Sequence, residues 1–137
     1  MPPEVTINYL AVLVAAISTM IVGSLWYSPL LLGKLWMKHS GVTEHEAKNT
    51  NMAKTYGIMF LGSLVMCFVM SHFIDYVGAK DASAGATAAI WLWLGFVVTV
   101  GVGGVLFEKK PWALYLINMG YQLVSMVIVG AILAVWQ

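Results

Sequence analysis

The sequence contains no arginine, a single cysteine and few charged residues of either sign. Without arginine the chain lacks the guanidinium group that binds phosphate through two parallel hydrogen bonds, and its net charge is only +1, so we expect no nucleic-acid partner. The lone Cys67 excludes an intrachain disulfide and a cysteine-rich metal site. Charged residues make up 9% of the chain, against about a quarter of a soluble domain, so this composition does not suit water as the surrounding medium.

What the chain has in excess is apolar surface. Hydrophobic residues make up 61% of it, and a soluble protein of that composition would expose large apolar patches and aggregate. The 137 residues suffice for one domain, which we expect to span residues 1–137. No lysine precedes the first apolar run, so we expect that run to be retained in the protein and not removed as a signal peptide.

Four apolar segments are long enough to cross a membrane. A helical span needs about 20 apolar residues, and the predicted spans cover about residues 5–27, 52–76, 84–107 and 112–136. Helices are favoured over strands because an open sheet leaves backbone groups unpaired in lipid. The predicted fold class is therefore all-α, an integral membrane four-helix bundle.

The connection after the first span predicts a short interfacial helix. Ser28 and Pro29 are typical of a helix cap followed by the first helical position. Residues 30–39 then alternate leucine and tryptophan with Lys34 and Lys38, which is the pattern of an amphipathic helix lying in the membrane interface. Gly41 is expected to end it.

A second helix start follows before the next span. Thr43 and Glu46 have the spacing of a capping box, so we expect a helix to begin at Glu44 and to lead into the second span.

The lysines predict an orientation. Six of the seven flank the first and third connections, and only Lys80 lies in the second. Because short lysine-rich loops stay in the cytoplasm, loops 28–51 and 108–111 are expected to be cytoplasmic and both termini outside. We expect the location to be the inner (cell) membrane of a bacterium, with membrane lipid as a partner. Four of these lysines are the candidates for contact with lipid headgroups: Lys34, Lys38, Lys109 and Lys110.

The fourth span carries polar side chains on one helical face. Tyr115, Asn118, Gln122 and Ser125 follow one another at spacings of three and four residues. Amides within a span seek partners, and an interhelical hydrogen bond is worth on the order of 1 kcal/mol. The face is interpreted either as structural contact between helices or as a polar site for a substrate, headgroup or ion.

Small residues recur every four positions in two spans. The first span has Ala15, Thr19 and Gly23, and the third has Gly95, Thr99 and Gly103. Such stripes let helices approach closely, within one chain or across a homo-oligomer interface. A pore or hinge lined by glycines is the alternative interpretation.

Near the end of the second span, His72 and Asp75 lie on one helical face. A carboxylate beside an imidazole could orient it for proton transfer, and the alternative interpretation is a structural or solvated pair close to the membrane interface; two ligands are too few for a metal site. The sequence therefore predicts no metal centre and no cofactor.

Several stretches carry a resemblance to a known family. They are the segments 8–12, 23–29 (which contains Trp26-Tyr27-Ser28-Pro29), 33–37, 118–121 (Asn118-Met119-Gly120-Tyr121) and 130–133. Together they resemble a family of bacterial membrane proteins, the domain of unknown function 1761, over nearly the whole chain. The resemblance implies four spans and assigns no activity or functional residues.

Three functional hypotheses follow. The first is a non-enzymatic membrane protein that forms a homo-oligomer or serves as an accessory subunit of a larger membrane complex, which the small-residue stripes support. The second is a small transporter or channel for an ion or small solute, which the Asn118 and Gln122 face supports. The third is an intramembrane enzyme acting on lipid through His72 and Asp75, disfavoured because no nucleophile accompanies them.

Overall fold

The computed structural model describes residues 4–49 and 51–137, and none of these residues forms a strand. The predicted all-α fold class is confirmed, with four helices long and apolar enough to cross a membrane. The helices are α1 (Tyr9–Trp26), α2 (Gly33–Ser40), α3 (Glu44–Asn49), α4 (Met52–Tyr76), α5 (Ala82–Leu92), α6 (Thr99–Leu106) and α7 (Trp112–Val135). A π-helical segment, Trp93–Val98, joins α5 to α6, so these three pieces form one continuous span, Ala82–Leu106.

The prediction that Ser28 caps the interfacial helix is wrong. The Ser28 hydroxyl donates back to the Leu25 carbonyl at 2.7 Å, and the Ser28 carbonyl accepts from Leu31 and Gly33. Residues 28–32 therefore form turns that close the end of α1, and α2 begins at Gly33. Gly33 has no room for a side chain because a Cβ there would meet the Tyr27 carbonyl oxygen.

The next two boundaries follow the sequence signals more closely. Gly41 ends α2 in the left-handed conformation, at a φ of 77°, which glycine adopts without steric cost. The Thr43 hydroxyl accepts from the Glu46 backbone N–H at 3.1 Å, as the capping-box pattern predicted. However, α3 ends at Asn49 instead of running into the second span, and Asn51 caps α4 by accepting from Lys54 N.

Spans that follow one another in the chain run antiparallel, and α7 lies at the centre of the bundle. It packs against α1, α4 and the third span. Its closest approach is to α5, where a Cβ on Gly85 would meet the Gly130 backbone and would come within 2.7 Å of the Ala134 Cβ. Small residues at this crossing allow the two backbones to touch, as in other membrane helix pairs.

The two ends of the bundle differ in packing. Residues from every span meet in the core towards the end that holds the chain termini, among them Ala15, Ile74, Ala89 and Val129. At the opposite end, which we call the lysine-rich end because it carries the first and third connections, residues 52–59 of α4 are all exposed. The first half of α4 therefore stands away from the other spans and leaves space beside them.

Candidate functional site

Two of the polar side chains predicted on the fourth span have partners on other spans. The Tyr27 hydroxyl donates to Asn118 Oδ1 at 2.7 Å, which joins the end of α1 to α7. The Tyr115 hydroxyl donates to the Val98 carbonyl oxygen at 2.7 Å, which joins α7 to the third span. Both bonds lie towards the lysine-rich end, so this part of α7 is fixed on two sides.

The π-helical segment explains why the Val98 carbonyl is the acceptor. A π turn shifts the backbone hydrogen-bond pattern from i→i+4 to i→i+5, and such turns are frequent at functional sites. Val98 is the last residue of the segment, and Trp93, the first, donates its indole N–H to the Met119 carbonyl at 3.0 Å. The irregular part of the third span is thus bonded to α7 at both of its ends.

The first and fourth spans interlock through two tryptophan and tyrosine contacts. The Trp26 indole donates to the Ile117 carbonyl at 3.0 Å, and the Tyr121 hydroxyl donates to the Thr19 carbonyl at 3.1 Å. The Trp26 ring lies over Gly120, where a Cβ would come within 2.8 Å of Cζ2. Direct packing therefore joins the segments 23–29 and 118–121. Tyr27 and Asn118, which are bonded to each other, are 91 residues apart in the sequence.

Two cavities lie on either side of the Tyr27–Asn118 hydrogen bond. Asn118 lines the first, of about 120 Å³, together with Gly101, Lys110 and Tyr115. Tyr27 lines the second, of about 140 Å³, together with Tyr56 and Tyr121.

The first cavity combines two predictions that the sequence kept separate. Asn118 and Tyr115 were candidates for a polar site within the membrane, and Lys110 was a candidate for headgroup contact; all three line this cavity. Lys110 Nζ forms an ion pair with Glu108 Oε2 at 3.0 Å, and both side chains are exposed. The ion pair lies beside Gly104, where a Cβ would be 3.6 Å from Glu108 Oε2.

Gln122 and Ser125 continue the same face towards the middle of α7. Gln122 is partly exposed, whereas Ser125 is 2% exposed and its hydroxyl has no hydrogen-bond partner among the described residues. Leaving a buried hydroxyl unpaired costs about 1–3 kcal/mol. The polar face therefore includes a hydroxyl group, that of Ser125, besides the side chains that form hydrogen bonds with other spans.

The structure places the two small-residue stripes in different surroundings. Ala15 and Thr19 are buried, and the Thr19 hydroxyl lies 2.9 Å from Ser63 Oγ on α4. Gly23 packs against the Tyr121 ring, and a Cβ added at Gly23 would lie 3.2 Å from the Tyr121 hydroxyl oxygen.

The third-span stripe faces away from the rest of the described chain. At Gly95 and Gly103 an added Cβ would meet no atom within 4 Å outside the helix's own backbone. Thr99 is exposed and donates to the Gly95 carbonyl at 2.7 Å. Among the described residues, these three positions therefore contact no other span.

His72 and Asp75 do not form the predicted pair. His72 Nδ1 lies 2.9 Å from the Phe68 carbonyl oxygen, one turn back on its own helix. Asp75 Oδ1 instead lies 3.6 Å from Lys80 Nζ, which also donates to Gln137 Oε1 at 2.6 Å. Spacing placed both groups on one side of the helix, but a local carbonyl and a lysine beyond the helix end are their partners.

The remaining lysine candidates lie at the surface. Lys34 and Lys38 are exposed on α2, and Lys109 is exposed in the third connection with a φ of 60°. Among the side chains that the structure describes, no three from histidine, cysteine, aspartate or glutamate are grouped closely enough to hold a metal ion.

Sequence reasoning missed three aromatic residues of this region. Trp26, Trp93 and Tyr121 each donate to a backbone carbonyl of a neighbouring span. The available signal for Trp26 was the glycine opposite it: Gly120 has no side chain where the Trp26 ring lies.

The fold defines the class of this protein as a multi-pass membrane protein, since four helices have the length and hydropathy of membrane spans. Residues 10–134 match the family model described as "Protein of unknown function (DUF1761)", so the chain belongs to that family. No curated protein and no solved structure gives a match. The matched range contains both interlocking segments, 23–29 and 118–121.

Proposed function

We propose that this protein is a non-enzymatic membrane subunit that associates with further copies of itself through its third span. The observation that carries the proposal is the face formed by Gly95, Thr99 and Gly103, where a side chain added at either glycine would meet no other described residue; we call it the glycine face. A span needs no glycine to contact lipid, because lipid chains adapt to any apolar side chain. Small residues at four-residue spacing instead favour close packing of another helix.

The surroundings of the glycine face support a helix as its occupant. Phe96 follows Gly95 and Val100 follows Thr99 in the sequence, and their side chains are 71% and 75% exposed. The glycines therefore form a shallow groove beside bulky side chains. The Thr99 hydroxyl is already bonded to the Gly95 carbonyl, which leaves the groove without an unpaired hydroxyl. A second copy brings the same groove and the same bulky side chains, so two such faces are complementary.

The non-enzymatic part of the proposal is supported by the partners of the candidate catalytic groups. His72 is held by the Phe68 carbonyl and Asp75 by Lys80. Neither group is arranged to activate the other, so the lipid-modifying hypothesis loses the pair on which it depended.

We also propose the inner membrane of a bacterium as the location, with the lysine-rich end in the cytoplasm. Six lysines belong to the connections at that end and only Lys80 to the opposite end. Exposed Lys34 and Lys38 on the interfacial helix suit contact with anionic headgroups on the cytoplasmic side.

Substitution of the glycine face tests the proposal. Gly95→Leu and Gly103→Leu place bulky side chains in the groove without touching the rest of the chain, so each protein should fold but lose its oligomer. Gly62→Leu is the matched control, because Gly62 is an exposed glycine of α4 with no neighbour within 4 Å. Cross-linking in the membrane and light scattering in detergent measure the oligomer; an oligomer that survives both third-span changes contradicts the proposal.

A second candidate function, a small transporter or channel for an ion or small solute, is favoured by the two cavities. Asn118 lines one and Tyr27 the other, and this candidate takes the hydrogen bond between these two side chains as the barrier between the cavities. Flux through protein reconstituted in liposomes tests this candidate. Tyr27→Phe should raise the flux, and Asn118→Leu combined with Gln122→Leu should change it; no flux in any of these proteins removes the candidate.

A further inference from the structure

The cavity beside Tyr27 has walls of aromatic rings and thioethers. It lies between α1, α4 and α7 at the lysine-rich end, and its volume is about 140 Å³. Met20, Tyr27, Tyr56, Met59 and Tyr121 line it together with Gly23 and Ser24. We call it the tyrosine cavity.

Two of its three tyrosines are held in place. The Tyr27 hydroxyl is bonded to Asn118 Oδ1 and the Tyr121 hydroxyl to the Thr19 carbonyl. The two ring centroids are 5.4 Å apart, with the ring planes at 61°. Because both phenols are tied at their far ends, the rings form a fixed corner that needs no reorganisation before a ligand enters.

The third wall is open. Tyr56 is 47% exposed and Met59 is 50% exposed, both on the half of α4 that stands away from the bundle. None of the residues that line the cavity is charged. A ligand therefore enters past Tyr56 and meets ring faces and sulfur atoms on its way to the Tyr27–Tyr121 corner.

We propose that the tyrosine cavity binds a quaternary ammonium group. Ring faces attract cations, and aromatic cages are the usual way in which proteins hold a nitrogen that carries only methyl groups. A quaternary ammonium group has no N–H and therefore needs no hydrogen-bond acceptor. Its methyl groups pack favourably against the apolar walls. A primary ammonium would instead lose its hydrogen bonds to water, and no carboxylate lines the cavity to compensate for that loss.

The depth of the cavity suits an occupant from the membrane interface. Tyr27 is the first residue after α1, and Tyr56 lies in the second turn of α4. Both positions lie at the lysine-rich ends of their spans, where we expect the headgroups, so a lipid headgroup and a free cation are equally available. Lys54 is two residues before Tyr56, about 200° around the helix, so its charge points away from the cavity.

Binding of tetramethylammonium to the detergent-purified protein tests the proposal. We expect saturable binding by equilibrium dialysis of the labelled cation, and weaker or no binding of 3,3-dimethylbutanol, an uncharged isostere of choline in which a tert-butyl group replaces the quaternary ammonium. Tyr56→Leu should weaken the binding at least about fivefold. Tyr56→Trp should retain it, since tryptophan offers the strongest ring face.

Tyr9→Leu is the matched control, since Tyr9 is an exposed tyrosine stacked on Phe68 near the other end of the bundle. Tyr56 is exposed, so its replacement should leave the fold intact, which circular dichroism checks. A second arm compares vesicles of phosphatidylcholine and phosphatidylethanolamine, which differ only in the methyl groups on nitrogen. Preference for phosphatidylcholine identifies a lipid headgroup, and binding of tetramethylammonium alone identifies a free cation.

Absence of binding in both arms overturns the proposal. Equal binding of the uncharged isostere also overturns it, because the cavity would then be a simple apolar pocket. Unchanged binding in Tyr56→Leu has the same consequence. The cavity lies away from the glycine face, so failure of the binding proposal would not contradict the oligomer proposal. The oligomeric state, measured in the same samples, tests the oligomer proposal separately.

Discussion

Gly120 determines how closely the first and fourth spans approach. An added Cβ would come within 2.8 Å of Trp26 Cζ2, and the Trp26 indole is held there by its bond to the Ile117 carbonyl. We expect Gly120→Ala to destabilise the protein by about 1–3 kcal/mol, because a methyl group forced into packed surroundings displaces its neighbours. Thermal unfolding in detergent measures the effect.

Gly57→Ala is the control for that change. Gly57 lies in α4 with no neighbour within 4 Å, so the same methyl group meets nothing. Equal destabilisation in both variants would mean that loss of glycine itself, and not the Trp26 contact, is responsible.

The Tyr27–Asn118 hydrogen bond is a second feature at the residue scale. Its length of 2.7 Å and its place within the membrane-facing bundle predict a coupling energy of about 1 kcal/mol between the two side chains. A double-mutant cycle of Tyr27→Phe and Asn118→Ala, read by chemical or thermal unfolding, measures it. Strictly additive effects would show that the bond contributes nothing to stability.

At the scale of elements, the crossing of α5 and α7 depends on paired glycines. A Cβ on Gly85 would meet the Gly130 backbone, which cannot rotate away as a side chain can. Gly85→Ala should therefore separate the two helices and destabilise the protein by about 2 kcal/mol or more. Gly62 is an exposed glycine of α4, so Gly62→Ala should leave the unfolding temperature close to that of the parent protein. A loss of stability in Gly62→Ala as large as that in Gly85→Ala would contradict the close approach of α5 and α7.

The turn between α6 and α7 contains a strained residue. Lys109 has a φ of 60°, and the next residue, Lys110, donates its backbone N–H to the Gly104 carbonyl at 3.2 Å. Glycine is the usual residue at such a helix end because a side chain costs roughly 1 kcal/mol there. Lys109→Gly should therefore raise the thermal stability, whereas Lys109→Ala, which removes the same charge but keeps a Cβ, should not.

If the alanine variant gains as much stability as the glycine variant, charge and not backbone strain explains the change. The prediction is independent of any headgroup contact by Lys109, because both variants lack the amine.

The whole molecule is organised for lipid. Small residues such as Ala15, Gly85 and Gly130 lie inside, whereas large apolar side chains such as Ile58, Phe96 and Val100 face outward. That is the arrangement expected where apolar contact with lipid is as favourable as apolar contact with protein, and where close backbone approach drives helix association.

The number of spans and the fold class could be predicted because both follow from the length of the apolar runs. Which helix a face meets could not. The Ala15–Thr19 stripe and the Gly95–Gly103 stripe have the same spacing, yet only the first is buried within the chain. Spacing defines a face of a helix, but the partner of that face depends on how the spans are arranged around α7.

The candidate site was predictable in part for a similar reason. Asn118 stood out because an amide within a span needs a partner, but Tyr27 could not be named as that partner from a separation of 91 residues. Spacing placed His72 and Asp75 on one face, but it could not show the groups that compete for them, here the Phe68 carbonyl and Lys80.

Topology mapping tests the central claim, that the four spans cross a membrane with the first and third connections on the cytoplasmic side. Lys80→Cys and Lys109→Cys each place a thiol in a short connection, while the native Cys67 is buried and provides the background. A membrane-impermeant maleimide should label Lys80→Cys in intact spheroplasts of a bacterial host and Lys109→Cys only after the membrane is opened. Labelling of Lys109→Cys in intact spheroplasts would contradict the account.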